Sequence, residues 1–181
     1  MLSRNPNITM NIVNTNPKIK WYYGHLSFNP SITWEDVELN QDKPWNYGWL
    51  SENSSITWDI VCANPDKEWS YELMSSNPNI TWDIVKNNPD KSWSYTWLLY
   101  NPNINWNVVD AHPDKPWDFS YLSINPNITW DIIENNPDKQ WNYQQLSENR
   151  NITWDIVCAN PDKPWDYELL SINPKYNNKR Y

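Results

Sequence analysis

Asn77–Val85 reads NPNITWDIV, and nearly the same nine residues return as NPNITWDII at Asn125–Ile133 and as NRNITWDIV at Asn149–Val157. The threonine of this stretch fixes a register. It falls at Thr9, Thr33, Thr57 and Thr81, then at Asn105, Thr129 and Thr153, so every step is 24 residues with no insertion. A second tryptophan keeps the same period, at Trp21, Trp45, Trp69, Trp93, Trp117, Trp141 and Trp165. An aromatic follows it by two residues, an aliphatic or methionine by five, and an asparagine closes each unit. The chain therefore holds seven repeats of the approximate form N-P-N-I-T-W-D-I-V-x-x-N-P-D-K-P-W-x-Y-x-x-L-S-x. A fixed period of this length is the signature of a solenoid or array.

The chemistry inside the repeat favours helices. Threonine is a good N-cap, and Asn105 in its place keeps the capping oxygen. Asp59, Asp83, Asp131 and Asp155 then fall at the second helical position, where the positive end of the helix dipole favours them. This first helix must end at the Asn-Pro pair, because a residue before proline is pushed out of the α region. A second helix is expected from DKPW, with Pro44, Pro116 and Pro164 in its first turn and Asp-Lys as cap and neighbour. Trp, Tyr and Leu at offsets 0, 2 and 5 do not alternate as a strand requires.

The expected fold is thus all-α, an α-solenoid of seven 24-residue repeats, each two short helices joined by Asn-Pro turns. It spans residues 1–174 as one domain, followed by a basic tail at 175–181. A β-solenoid, whose units would stack equally well, is the rival; the Thr caps and Pro-first segments favour helices. Helices of seven to ten residues are unstable alone in water. They must bury their apolar sides on neighbouring repeats, each large side chain contributing about 1.5–3 kcal/mol when fully buried. The recurring asparagines are expected to satisfy carbonyls left open at helix ends, stacked as ladders.

The NPN-T-x-x-(D/E)-(I/V) pattern, here NPNITWDIV, resembles leucine-rich-variant-type α-solenoid repeats, with Trp where that family usually carries proline or a small residue. The resemblance covers the whole chain and implies a superhelix of alternating short helices. Some members hold an iron–sulfur cluster on clustered cysteines; this chain has no such cluster of cysteines, so none is carried over. The spelling NPNITWDIVKNNPDKSW also looks like the Asn- and Trp-rich repeat proteins of giant DNA viruses of protists.

Composition narrows the function. The net charge is −8, with 22 acidic against 14 basic side chains. Neither nucleic acid nor an anionic membrane surface is an expected partner. No apolar run is long enough to cross a membrane, and MLSRNPNITM lacks the apolar region of a signal peptide, so a cytoplasmic protein is expected (host cytoplasm if viral), not a secreted one. With no secretory signal, the five N-x-S/T matches at Asn7, Asn53, Asn79, Asn127 and Asn151 read as by-products of the repeat. Catalysis would need a constellation outside the repeat. The two histidines, His25 and His112, occupy different repeat positions, and His112 stands where other repeats carry Asn, as a hydrogen-bonding substitute. No HExxH, GxSxG, CxxC or P-loop is present. No enzyme, cofactor or metal site is expected. Cys62 and Cys158 share one repeat position and are expected as small buried residues in a reducing compartment. The lysines of the Asp-Lys pairs are neutralised by their aspartates.

A non-enzymatic scaffold that binds protein through an extended surface is the reading these features support. A self-assembling structural protein, and a nucleic-acid or glycan binder using exposed aromatics, are the alternatives. The C-terminal repeat, Trp154 to Leu170, keeps its apolar residues and shows no polar cap, so self-association is expected there. Recognition residues should vary where framework residues recur. Four residues after the second Trp the chain reads His25, Trp49, Leu73, Trp97, Tyr121, Gln145 and Leu169. This position would lie about 40° around one helix from the Trp, at 3.6 residues per turn. Gap-filling is therefore the competing role for the same side chains.

Overall fold

A computed structural model describes residues 2–173. The basic tail at 175–181 lies outside them. The described residues form fourteen short α-helices after a 3₁₀ turn at Leu2–Arg4, with no strand among them. Two compact units divide the chain, Met1–Ser94 and Tyr95–Tyr181. The first contains α1 (Met10–Thr15), α2 (Tyr23–Ser27), α3 (Trp34–Leu39), α4 (Tyr47–Leu50), α5 (Trp58–Ala63), α6 (Tyr71–Met74) and α7 (Trp82–Asn87). The second contains α8 (Tyr95–Leu98), α9 (Trp106–Ala111), α10 (Phe119–Leu122), α11 (Trp130–Asn135), α12 (Tyr143–Glu148), α13 (Trp154–Ala159) and α14 (Tyr167–Ile172).

The first helix of each repeat starts where the sequence places it. Thr9, Thr33, Thr57, Thr81, Thr153 and Asn105 each accept a hydrogen bond from the backbone N–H three residues on. Thr33 and Asp36 complete a reciprocal capping box. The helix ends at Asn16, Asn40, Asn64, Asn88, Asn136 and Asn160, or at His112 in the one repeat that departs. Each of those asparagines turns its amide back onto a carbonyl four residues earlier, as Asn64 does to Ile60 at 2.9 Å.

The second helix starts later than expected. Pro44, Pro116 and Pro164 are not in its first turn, and Asp-Lys is not its cap. In the first unit the Asn-Pro-Asp-Lys segment at 64–67 is a tight turn closed by Trp69 N–H on Lys67 O at 2.8 Å, and Asn-Gln-Asp-Lys at 40–43 is closed likewise by Trp45 N–H on Lys43 O at 2.8 Å. Trp45 precedes the helix, and Asn46, in extended conformation, is the true N-cap, accepting the Trp49 N–H at 2.8 Å. Ser70, Asp118, Asn142 and Asp166 cap in the same way. Extension at the cap lets its own N–H reach back one repeat, to Ser27 Oγ from Asn46 at 3.0 Å and to Ser51 Oγ from Ser70 at 2.9 Å. The turn and the extended cap consume residues assigned above to helix, so the helices are four to six residues long rather than seven to ten.

The second tryptophan is a turn-closing residue. Its indole N–H donates to the carbonyl of the residue that ends the first helix, from Trp45 to Asn40 and from Trp69 to Asn64, both at 2.9 Å. In the second unit Trp141 serves Asn136 and Trp165 serves Asn160, both at 2.8 Å. The ring is then clamped by the preceding repeat. Tyr47 meets Trp69 edge-on at 5.4 Å while Trp34 leans on it at 5.9 Å. Phe119 and Trp106 hold Trp141 in the same way at 5.7 and 6.0 Å. Aromatic pairs of this kind contribute about 0.5–1.5 kcal/mol beyond their buried area.

Buried asparagines form the expected ladders. Asn53 Nδ2 donates to Asn29 O at 3.0 Å, and Asn77 Nδ2 to Asn53 O at 2.9 Å. In the second unit Asn149 reaches Asn125 O and Asn173 reaches Asn149 O, both at 3.1 Å. The amides of Asn53, Asn77 and Asn149 also donate to a carbonyl at the end of the preceding second helix and to one in the following turn, supplying donors that a helix end leaves wanting.

Cys62 and Cys158 are free thiols, and both are exposed rather than buried. The reason is the narrowness of the core stripe. In Trp58–Ala63 only Val61 is buried, and the next residue is rotated by about 100° out of the core. Ala63 and Ala159 are exposed beside them.

Candidate functional site

Of the seven positions expected to carry recognition, the first unit gathers three. Trp49 on α4 stacks its ring on His25 of α2, with centroids 5.9 Å apart and planes 8° from parallel. Both line a cleft of about 420 Å³ with Leu73 of α6, and Arg4, Phe28 and Glu52 complete its wall. That volume lies within the range of small-ligand sites, about 300–1,000 Å³. Trp49 is 39% exposed and Phe28 55% exposed, so the cleft presents aromatic faces to solvent.

The helix geometry behind this differs from the expectation. Trp45 lies outside α4, so Trp49 is not 40° around one helix from it. Trp49 instead falls in the first turn after the cap, one residue before the fully buried Leu50. Gly24 faces it closely, for a Cβ built there would lie 3.3 Å from Trp49 Cζ3.

Two polar groups in the cleft are unusual. His25 Nδ1 is buried and has no hydrogen-bond partner. Glu52 is half-buried, makes no ion pair with any described residue, and burial pushes its carboxyl above the ordinary carboxylate range. Arg4 is exposed on the rim.

In the second unit the equivalent positions build a different surface. Tyr100 bridges Trp97 and Tyr121, with ring centroids 5.7 and 6.2 Å away. All three are between 38% and 40% exposed. Gln145 and Leu169 are half-buried, and Gln145 Oε1 is a second buried polar atom with no partner.

Sequence reading missed Phe28, Glu52 and Tyr100. They share the last position of the repeat, three residues after the recognition position, where i and i+3 side chains become neighbours on a helical face. Their signal was variability: the chain reads Phe28, Glu52, Ser76, Tyr100, Ile124, Glu148 and Ile172 there.

The Asp-Lys turns carry no free cationic row. Six lysines pair with the preceding aspartate at 2.6 to 3.1 Å. The lysine hydrogen bond holds each aspartate below its ordinary carboxylate range, as at Asp66 and Asp90. Lys67 and Lys91 also lie over the rings of Tyr47 and Tyr71, 5.6 and 5.3 Å from the centroids. Among the described residues, no group of three His, Cys, Asp or Glu side chains is placed to hold a metal ion. No helix among them is long and apolar enough to cross a membrane.

No protein-family model, curated protein or solved structure matches this chain. What the molecule itself defines is a class: an all-helical repeat protein, rich in tryptophan, whose helices recur with one period in each unit.

Proposed function

We propose that the chain is an α-solenoid of seven 24-residue repeats that acts as a non-enzymatic scaffold, binding protein partners through an extended surface. The observation that carries this reading is the behaviour of a single repeat position. The residue four after the second tryptophan varies in chemistry, and in both units it contributes partly exposed aromatic rings: Trp49 on one, Trp97 and Tyr121 on the other. Framework positions behave oppositely, with Leu26, Leu50, Met74 and Leu98 fully buried. Large, rigid aromatic side chains of this kind often dominate the energy of protein interfaces. The two exposed free thiols suit a reducing, intracellular setting.

Substitution of Trp97 tests the proposal. Wild-type protein and Trp97→Ala are compared by melting temperature and by affinity capture from expressing cells, with captured proteins identified by mass spectrometry. A change in melting temperature below about 4 °C with loss of the wild-type partner supports a binding role. A large destabilisation, with the partner still bound by the folded fraction, would end it.

Self-association is the second reading, favoured by the exposure of Trp154, Tyr167 and Ile172, at 51%, 58% and 62%. Light scattering that shows mass rising with concentration supports it, and a strictly monomeric mass at high concentration removes it.

A further inference from the structure

The first-unit cleft has a more specific chemistry than an apolar groove. It combines an aromatic wall with an unpaired carboxylate. Trp49 supplies an indole whose partner in stacking, His25, lies on one side, and Phe28 adds a second ring to the cavity lining. Glu52 supplies a negative charge removed from full hydration and from any cationic partner.

An occupant must answer both features. An aromatic wall with a carboxylate favours a cation, because the ring face is the negative region of its quadrupole. The two oxygens of the carboxylate ask for paired donors. A flat stacking surface favours a planar cation over a spherical one. Guanidinium meets each requirement: it is planar, always charged, weakly hydrated, and carries five N–H donors. An ammonium offers a point charge with a stronger hydration shell and no plane to stack.

We infer that this cleft is a receptor for an arginine side chain of a partner protein, held over the Trp49 and Phe28 rings with its donors on Glu52. The inference rests on the scaffold reading and assigns the partner's chemistry at one of its surfaces. The net charge of −8 makes the chain as a whole attractive to a basic segment. Arg4 opposes the guest, but it is exposed at the rim, where solvent and salt screen it.

The test uses Nα-acetyl-arginine N-methylamide as probe, with the corresponding citrulline and lysine amides as comparisons. Binding is followed by NMR on the indole N–H of Trp49 in the full chain, assigned through Trp49→Phe. The arginine amide is expected to shift the Trp49 signal in a saturable manner, at least fivefold more tightly than either comparison. Glu52→Gln, nearly isosteric, is expected to weaken it at least fivefold. Equal binding of citrulline would remove the charge requirement, and equal binding of lysine the guanidinium requirement; either overturns the inference. So does an unshifted Trp49 signal, or unchanged affinity in Glu52→Gln. These outcomes are separate from the scaffold reading, which stands or falls on partner capture by Trp97→Ala.

Discussion

The side-chain amide of Asn77 donates to the backbone carbonyl of Asn53, 24 residues earlier, at 2.9 Å, and both residues are buried. The same Nδ2 lies 2.9 Å from Ser51 O and 3.2 Å from Ile56 O. One amide thus joins the end of a helix, a turn and the neighbouring rung.

Replacing Asn77 by alanine should not cost all three contacts equally. Asn53 O keeps the Ile56 N–H, and Ile56 O keeps the Asn79 amide. Ser51 O is left without a donor in the interior. The expected loss is about 1–3 kcal/mol. Asn77→Asp should cost more, because a carboxylate would face three carbonyl oxygens. Urea unfolding followed by circular dichroism measures both, and equal stability of the three proteins would contradict the role given to the ladder.

Helix caps should be additive and modest by comparison. Asn46 Oδ1 accepts the Trp49 N–H at 2.8 Å on the surface, so Asn46→Ala is expected to lower stability by about 0.5–2 kcal/mol. Asn46→Ser, which retains a capping oxygen, should recover most of that loss. An alanine variant as stable as the serine variant would show that the cap is idle.

Glu52 should make stability depend on pH in a definite direction. Burial raises its carboxyl pKa in the folded chain, so the folded state holds the proton more tightly than the unfolded state. Its favourable contribution is full below the ordinary glutamate value of 4.5 and is lost as pH rises through the raised folded value. Glu52→Gln should therefore match wild type in acid and melt higher near neutrality. The six Asp-Lys pairs act oppositely. Their aspartates are held below the ordinary 3.8, so their contribution is present above that value and is lost as pH falls through the lowered one. Both proteins should then lose stability together at the acid end. Parallel melting curves across the whole range would remove the Glu52 assignment.

Cys62 and Cys158 should react with a thiol reagent in the native protein without denaturant, two equivalents per chain. Replacing both with serine should change the melting temperature by less than about 2 °C, as expected for exposed side chains away from special features. Slow reaction that accelerates in urea would mean that the thiols are shielded.

Much of this molecule was legible from periodicity. The register, the threonine caps, the aspartates behind them and the stop at Asn-Pro are local matters, settled by hydrogen bonds and backbone sterics within a few residues. The asparagine ladder was also foreseeable, because a repeated short amide must find repeated carbonyls. What failed was the second helix. DKPW satisfies the rule for a helix start, yet Trp45 N–H closes on Lys43 O and the cap moves to Asn46. That choice belongs to tertiary structure: the extended cap exists to offer its N–H to Ser27 Oγ, 19 residues away. The cysteines failed for a related reason, since a helix pinned by one buried valine leaves its neighbours outside. The cleft shows the same division. The recurrence of one variable position named His25, Trp49 and Leu73. Phe28 and Glu52 vary at a second shared position three residues on, but only the fold shows that they join the same cavity, because which side chains meet there depends on how neighbouring repeats pack.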